Sequence, residues 1–326
     1  MKPIILTGDR PTGALHLGHF AGSLAKRVEL QNQYSMFVLI ADTQVLNNNV
    51  SKAQEVKHHT LELMRDYLAC GLDPERVIFV RQSAISELFE LSAYFANLVS
   101  LAQIQRIPTI KKENSLYNQG QANMGFLNYP ISQTSDIALF GATMVPVGED
   151  QVPILEFGND LLEKFNRQFK CDYFEYIHPI LSVTPRLMGL DGKQKMSKSL
   201  NNAIFMRDND KSLKKKINLM YTDQNHLAIT DPGVVEGNVV FDFLDAFYKN
   251  KEHLHQLKAH YRKGGLGDGE TKKLLFNVLQ PLLSQFRENA SHYDDKQLSD
   301  ILESGTEKAR KLAQERMKEI REFIFR

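Results

Sequence analysis

The sequence predicts an α/β fold: a Rossmann-like, doubly wound parallel sheet with an all-α C-terminal domain. Short apolar runs alternate with amphipathic helical patterns in the first half of the chain, and mainly helical patterns follow from residue 212. Because parallel strands need long, usually helical, connections, this alternation is typical of a doubly wound sheet. A change in composition near residue 200 predicts domains of residues 1–200 and 201–326, and the last helix is expected to pack back on the first domain.

The elements of the first half follow from its apolar patterns. Buried strands are predicted at residues 2–7, 36–41 and 77–80. Helical patterns follow them at residues 15–33, 51–70 and 87–100. The second helix is expected to open with Ser51 and Glu55 in the style of a capping box, and Gly71 is placed to end the helix.

The middle of the chain is less regular. Residues 107–125 are polar and weakly periodic, which predicts a surface excursion. Pro130 is expected at an early position of a helix over residues 130–140. The remaining predictions are a strand at residues 144–147, a helix at 149–165, a Gly- and Lys-rich loop at 187–202, and a break in the C-terminal helices at 264–269.

Composition excludes several classes of protein. The net charge is +1, so a site for a polyanion must be a local patch. No run of about 18 apolar residues predicts a membrane span, and the first ten residues do not resemble a signal peptide. Cys70 and Cys171 are far apart in the sequence, so we expect no Cys-rich metal site and a reducing, cytoplasmic setting.

The first chemical motif lies between the first strand and the first helix and reads Pro-Thr-Gly-Ala-Leu-His-Leu-Gly-His over residues 11–19. Ligands bind at such junctions, and the unpaired amides at a helix start suit phosphate. Gly18 lets an adenine or ribose approach the backbone. His16 and His19 are three residues apart, so we expect both on one helix face, where they can stabilise charge on a phosphate oxygen. The alternative is a capped helix with two surface histidines.

The second motif is the loop Lys-Met-Ser-Lys-Ser at residues 195–199, which two glycines precede. Lys195 and Lys198 are close enough in the sequence to reach one polyphosphate as movable point charges. The small side chains of Ser197 and Ser199 let backbone amides approach the same anion. The alternative is a solvated basic loop, as most lone lysine pairs in loops are.

Together these motifs resemble the class I aminoacyl-tRNA synthetases. Residues 16–19 are similar to that family's His-Ile-Gly-His element with Leu17 for isoleucine, and residues 195–199 match its lysine loop at five positions. The resemblance implies binding of ATP with Mg²⁺, which phosphate oxygens and water would largely hold, and no protein metal site. It also implies attack of an amino-acid carboxylate on the α-phosphate, giving an aminoacyl-adenylate that is transferred to tRNA.

Two further stretches resemble the bacterial-type tryptophanyl-tRNA synthetases. Residues 145–151, Val-Pro-Val-Gly-Glu-Asp-Gln, are similar to their strand-to-helix junction, and residues 129–137 are similar to their pocket helix. In that resemblance Asp136 accepts the indole N–H of tryptophan. Because indole offers one donor and no acceptor, a buried carboxylate rejects ligands that lack the donor. The alternative for Asp136 is a surface aspartate on an amphipathic helix.

The chain departs from the most familiar bacterial pattern. Leu6, His19, Gln44 and Gln133 stand where many tryptophan enzymes have phenylalanine, asparagine, histidine and methionine. Tyr129, Gln133 and Asp136 have the spacing of tyrosine enzymes, so tyrosine stays open as the substrate. The Gly-Glu-Asp-Gln junction and the opening at residues 7–13 favour tryptophan.

The resemblance implies three sets of site residues. The catalytic set is His16, His19, Lys195 and Lys198. The ATP set is Arg10, Pro11, Thr12, Gly18, His19, Gly148, Glu149, Asp150, Leu187, Lys195, Met196, Ser197, Lys198 and Ser199. The amino-acid set is Tyr129, Gln133, Asp136 and Gln151.

The implied partners are L-tryptophan, ATP and tRNA(Trp), with a homodimer as the expected assembly. Residues 193–220 carry eight basic and two acidic residues, and the lysine run 214–216 is predicted to begin a helix that lies along phosphates. The helical domain would bind the tRNA anticodon. A solvated helix face is the alternative explanation of the lysine run.

Two other classes of protein stay open. A nucleotidyltransferase of similar fold shares a histidine pair at a helix start, although it usually lacks so large a helical part and the full lysine loop. A synthetase paralogue recruited as an amino-acid sensor or RNA-binding protein is the third class. Both motifs are complete in the sequence, which favours catalysis.

Overall fold

The computed structural model describes residues 2–47, 50–117, 122–181, 187–198 and 200–326. In this part of the chain, parallel strands form a five-stranded sheet in the order β3-β2-β1-β4-β5. The strands are β1 Ile4–Asp9, β2 Ser35–Ile40, β3 Val77–Arg81, β4 Met144–Val147 and β5 His178–Leu181. The predicted Rossmann-like parallel sheet with a helical C-terminal region is thereby confirmed.

The helices alternate with the strands and then continue alone. Before the last strand they are α1 Leu17–His19, α2 Ala25–Leu30, α3 Val56–Ala69, α4 Ser86–Ala96, α5 Leu101–Arg106, α6 Pro108–Tyr117, α7 Met124–Leu139 and α8 Val152–Phe169. After it come α9 Asp210–Asn218, α10 Val239–Phe247, α11 Lys251–Lys263, α12 Asp268–Ser291 and α13 Asp295–Ile324. In the described residues, no helix combines the length and the apolar character that crossing a membrane requires.

The chain forms two compact units. Unit 1 consists of Met1–Gly13, Arg27–Ser182 and Tyr293–Arg326, and unit 2 consists of Ala14–Lys26 and Val183–His292. These bounds differ from a single division at residue 200. The first helical segment belongs to unit 2 and the last helix to unit 1, so each is grouped with residues that are distant in the sequence.

Unit 1 has its core between the sheet and the helices. Phe95, Phe165 and Phe174 pack edge to face, with ring centroids 5.0 to 5.8 Å apart. Helix α13 packs on β3, where a Cβ at Gly305 would lie 2.3 Å from the carbonyl oxygen of Phe79. The Arg81 N–H donates a hydrogen bond to Thr306 Oγ1 at 3.0 Å, so α13 takes up a donor of the edge strand.

Several local predictions were wrong at their boundaries. Residues 15–33 do not form one helix, because a π-helical segment at Phe20–Leu24 separates α1 from α2. A 3₁₀ segment, Val50–Glu55, precedes α3, so Ser51 and Glu55 are not its capping box. Gly71, at φ +103°, does follow the helix end.

The region of residues 107–125 was predicted as a surface excursion, and its helix was missed. It contains α6, which buries few side chains, Ile110 among them, and therefore lacks a clear apolar period. Pro130 lies inside α7 and not near its start. Strand β5 was missed, because three of its four residues are exposed and one of them is Pro179.

Unit 2 is largely helical, with α10 packed against α12 and α9 against α12. Its core includes Leu213, Ile217, Leu275, Leu279 and Leu283. The lysine run 214–216 lies in the second half of α9 and not at its start. Lys216 within it pairs with Asp208 at 2.6 Å, whereas Lys214 and Lys215 are exposed.

Candidate active site

A cavity of about 380 Å³ opens at the carboxyl ends of β1, β2 and β4 in unit 1. Its wall combines apolar residues such as Leu6, Leu39 and Phe126 with polar side chains. All four residues predicted to bind the amino acid line it: Tyr129, Gln133, Asp136 and Gln151. Arg10, Gly148 and Gln44 are also part of the wall. The carboxyl edge of a parallel sheet is where doubly wound folds bind their ligands.

Asp136 is a buried carboxyl group in the wall of this cavity, with 2% of its surface exposed. Its carboxylate accepts hydrogen bonds from Gln82 Nε2 at 2.9 and 3.0 Å and from Gln44 Nε2 at 3.1 Å. Burial raises the pKa of Asp136 to about 7, and the Gln82 hydrogen bond opposes that rise. The surface-aspartate alternative is therefore wrong, and the cavity presents a buried acceptor to its ligand.

A second layer of polar groups holds this carboxylate. Thr43 Oγ1 donates to Gln82 Oε1 at 2.5 Å, which turns the Gln82 amide nitrogen toward Asp136. Asp42 accepts from the backbone N–H groups of Thr43 and Ser83 at 3.0 and 2.9 Å. The sequence analysis missed Asp42 and Gln82, although both are polar residues directly after a buried strand, which is a recognisable signal.

Tyr129 enters the cavity wall with a partner from α6. Its hydroxyl donates to Glu113 Oε2 at 3.3 Å, and burial raises the pKa of Tyr129 well above its usual value. The phenol is therefore a neutral donor near neutral pH. Glu113 was missed because α6 itself was not predicted.

The junction after β4 forms a short 3₁₀ turn, Glu149–Gln151. A Cβ at Gly148 would lie 2.8 Å from Asp150 Oδ1, so glycine allows this carboxylate to fold against the backbone. Thr109 Oγ1 of α6 donates to the Asp150 carbonyl at 2.6 Å. Gly148, Glu149 and Asp150 are all exposed, and the hydrogen bond from Thr109 attaches the backbone of this turn to α6.

A partly buried ion pair lies at the end of β1, where the predicted ATP residues begin. Arg27 NH1 donates to Asp9 Oδ2 at 2.6 Å, and the Tyr67 hydroxyl donates to the same oxygen at 2.6 Å. Asp9 and Arg27 line the cavity next to Arg10, which is exposed. Pro11 is buried and Thr12 is exposed. This pair was not anticipated, and the spacing of its members in the sequence gives no signal.

In unit 2, the histidine motif differs in detail from its prediction. His16 is the N-cap of α1 with extended backbone, so His16 and His19 do not share a helical face. The rings are nevertheless 3.7 Å apart, and His19 Nδ1 accepts the His16 backbone N–H at 3.2 Å. Burial, with His19 and Lys198 nearby, lowers the pKa of His16 to about 3, so its imidazole is neutral. A Cβ at Gly18 would lie 3.0 Å from that ring.

The lysine loop is organised by Asn202, which the sequence analysis did not single out. The Ser197 N–H donates to Asn202 Oδ1 at 2.8 Å, and Asn202 Nδ2 donates to the Lys195 carbonyl at 3.4 Å. Met188 and Lys195 form an antiparallel bridge, and the side chains of Leu187 and Met196 are buried. Lys195 remains exposed, while Ser199 lies outside the described residues.

The two motifs that were predicted to bind phosphate lie next to each other within unit 2. The Leu17 N–H donates to the Ile204 carbonyl at 2.9 Å, and a Cβ at Gly18 would lie 3.7 Å from the Met196 Cβ. Lys198 is near enough to His16 to help lower its pKa. A histidine turn and a lysine loop about 180 residues apart in the sequence therefore share one neighbourhood.

A model of the family described as tRNA synthetases class I (W and Y) matches residues 1–284. The chain belongs to this family. The tryptophan–tRNA ligase of Clostridium longisporum is 45% identical to it over 330 residues, which cover 99% of this chain and 97% of that protein. The tryptophan–tRNA ligase of Streptococcus mutans is 46% identical over 324 residues, which cover 96% of this chain and 95% of that protein.

Among solved structures, the chain is similar to the tryptophanyl-tRNA synthetase from Campylobacter jejuni complexed with ADP and tryptophan. The identity is 30%, the TM-score is 0.86, and the match covers 99% of this chain and 100% of that one.

Proposed function

We propose that this chain is a tryptophan–tRNA ligase, which activates L-tryptophan with ATP and transfers it to tRNA(Trp). The observation that carries the proposal is the buried Asp136 carboxylate in the wall of the unit 1 cavity. The bacterial relatives at about 45% identity, all tryptophan–tRNA ligases by name, support the same substrate.

Asp136 would select the substrate by accepting the indole N–H. The carboxylate is already desolvated, so a ligand with a donor at this point satisfies it and a ligand without one leaves it short of a hydrogen bond. Tyr129, Gln133 and Gln151 would contact the rest of the amino acid. The apolar wall, which includes Leu39 and Phe126, suits a bicyclic aromatic ring.

The residues predicted for ATP keep their proposed roles. Lys195 and Lys198 would neutralise the β- and γ-phosphates, and His19 would donate to a phosphate oxygen through Nε2, since its Nδ1 already accepts a hydrogen bond. Mg²⁺ would accompany ATP, held by phosphate oxygens and water. His16 is buried, so it would support the backbone of the turn, whereas His19 would contact the phosphate.

The proposal extends to partners and location. The tRNA would be bound in part by the helices after residue 200, with the exposed Lys214 and Lys215 as candidate phosphate contacts. We expect a homodimer in the cytoplasm, as the resemblance implies. A filter-binding titration of tRNA against Lys214→Ala with Lys215→Ala tests the phosphate contacts.

Tyrosine is the second candidate substrate. The favouring observation is the spacing of Tyr129, Gln133 and Asp136, which tyrosine enzymes share. A tyrosine hydroxyl donates and accepts, whereas indole N–H only donates. The Gln44 and Gln82 amides already donate to Asp136, which leaves fewer donors for a tyrosine hydroxyl to accept from and favours indole. Direct comparison of the two amino acids decides between them.

The deciding experiment is ATP–pyrophosphate exchange with each of the twenty amino acids, followed by charging of total tRNA. We expect exchange with tryptophan and charging of tRNA(Trp). Exchange with tyrosine alone would overturn the substrate and keep the class, and exchange without any amino acid would favour a nucleotidyltransferase. Exchange without charging would point to a paralogue with another role.

Lys195→Ala is expected to reduce pyrophosphate exchange by about a hundredfold, because a cation on the developing phosphate charge is lost. Tryptophan affinity should hardly change. The chain contains no tryptophan, so a change in the fluorescence of the ligand, excited beyond tyrosine absorption, reports binding without a background from protein tryptophan. Lys193→Ala, another exposed lysine of the same loop, is the matched control and should exchange normally.

A further inference from the structure

Helix α3 carries a group of metal-ligating side chains that the proposed function does not use. One potential ligand atom from each of His58, His59 and Glu62 lies within 4.8 Å of the other two. Glu62 Oε2 is 2.9 Å from His59 Nδ1 and 3.6 Å from His58 Nε2. One carboxylate thus faces two imidazole nitrogens on the same side of a helix.

We propose that this cluster binds a divalent transition-metal ion such as Zn²⁺ through His58, His59 and Glu62. Two imidazoles and one carboxylate are a ligand set that zinc accepts, with the fourth position left to water. Bonds of about 2.1 Å in a tetrahedral site put neighbouring ligand atoms about 3.4 Å apart. The observed 2.9 and 3.6 Å lie on either side of that value, so small side-chain rotations complete the site.

The helix itself spaces these ligands. His58 and Glu62 are four residues apart and His59 and Glu62 three, so all three side chains emerge on one face of α3. His59 and Glu62 are partly buried, with 23% and 19% of their side chains exposed, whereas His58 is 75% exposed. Two ligands are therefore held by packing, and the third is open to solvent, which gives the ion an entry path.

A fourth side chain occupies the place of an orienting partner. Glu55 Oε2 lies 3.4 Å from His59 Nε2, on the ring edge opposite Glu62. Metal-bound histidines usually donate their second N–H to a carboxylate, which fixes the tautomer and the ring orientation. His59 has this arrangement, with one nitrogen toward the cluster and the other toward Glu55.

The location links the cluster to the start of the chain. His59 Cε1 is 3.6 Å from the position of a Cβ on Gly13, at the turn that follows β1. A bound ion would join the end of the 3₁₀ segment Val50–Glu55 to α3 and hold the ring against this turn. The sequence analysis expected no protein metal site, and this inference departs from that expectation without depending on the proposed function.

Calorimetric titration of the metal-free full-length protein with ZnCl₂, in the absence of ATP, tests the site. We expect the wild type to bind one equivalent more tightly than His58→Ala with His59→Ala, by about a hundredfold or more, since two ligands are lost. Glu62→Gln should weaken this equivalent, and Glu55→Gln should weaken it by about tenfold, as for other orienting partners. His255→Ala, an exposed histidine on α11, is the control and should bind like the wild type.

A network of hydrogen bonds without metal is the competing explanation of the same contacts. Equal zinc affinity of the wild type and the double variant would support this explanation and overturn the proposal. Because the substituted residues are largely at the surface, circular dichroism should show every variant folded. A zinc-dependent rise in melting temperature in the wild type, absent from the double variant, would be a second sign of binding.

Discussion

Asp136 places a titrating carboxyl group where the substrate's N–H would arrive. Its pKa is raised to about 7 by burial, so near neutral pH the ionised and neutral forms coexist. Only the ionised form offers both oxygens as acceptors, because a protonated carboxyl has become a donor. The protonation state of one buried residue would therefore be felt in substrate affinity.

The sign of the pH dependence of activity follows from the raised pKa of Asp136. Because the folded-state pKa is raised, acid favours the neutral carboxyl, and kcat/KM for tryptophan should fall as pH drops below about 7, by up to tenfold per pH unit. Pyrophosphate exchange at subsaturating tryptophan between about pH 6 and pH 8 measures this. Asp136→Asn should lose that inflection along with most of its activity, and an unchanged profile would refute the role.

Gln82→Leu removes the two hydrogen bonds that Gln82 donates to Asp136 and leaves the one from Gln44. The pKa of Asp136 should rise further, so the inflection of the pH profile should move to higher pH. A buried carboxylate short of donors should also lower the free energy of unfolding by about 1–3 kcal/mol. Thr43→Val, which leaves the Gln82 amide without its orienting donor, should move the inflection less and in the same direction. A loss of stability without any shift in the inflection of the pH profile would mean that Gln82 contributes to packing and does not affect the pKa of Asp136.

At the scale of elements, the lysine loop depends on one amide. Asn202 bonds to both the Ser197 N–H and the Lys195 carbonyl, and a Cβ at Gly189 would collide with its Nδ2 at 2.1 Å. The loop is thus folded around Asn202, with Met196 buried beneath it and Lys195 presented to solvent. The shape of the loop is therefore set by Asn202 and not by the lysine side chains.

Asn202→Ala should therefore reduce the rate of pyrophosphate exchange by about tenfold to a hundredfold, because mispositioned lysines stabilise charge poorly. The KM for tryptophan should stay within about twofold, since the substrate cavity lies in unit 1. Gln194→Ala, an exposed neighbour in the same loop, is the control. Equal kinetics for the two variants would show that Asn202 does not organise the loop.

Elements were predictable where their apolar pattern was continuous. Strands β1 to β4 are short apolar runs, and the sequence predicted each of them. Helix α6 and strand β5 were missed because few of their side chains are buried, so their hydrophobic periods are weak. The motif residues were predictable from resemblance, and Gln82 could have been found from its place directly after a buried strand. Asn202 was not predictable, since it acts through contacts within an irregular loop.

At the scale of the molecule, the last helix of the chain covers an edge strand that comes from the first third of the sequence. Helix α13 packs on β3, and Gly305 is the point of closest approach. Gly305→Ala should lower the free energy of unfolding by about 1–3 kcal/mol, because the new methyl group would meet the Phe79 backbone. Urea unfolding followed by circular dichroism measures this. Gly269→Ala, in α12 with open space around it, should be neutral or stabilise by about 1 kcal/mol, and equal effects would contradict the packing.

This arrangement also has a consequence during synthesis on the ribosome. Arg81 and Thr306 are 225 residues apart, and all of unit 2 is translated before Thr306. Until α13 emerges, the nascent chain carries a sheet edge with an unsatisfied donor and an uncovered apolar flank, which favours aggregation and capture by chaperones. Translation pauses before residue 293 would prolong that exposure, and a ribosome stalled there would hold a protein that has made its chemical motifs but lacks the helix that covers β3.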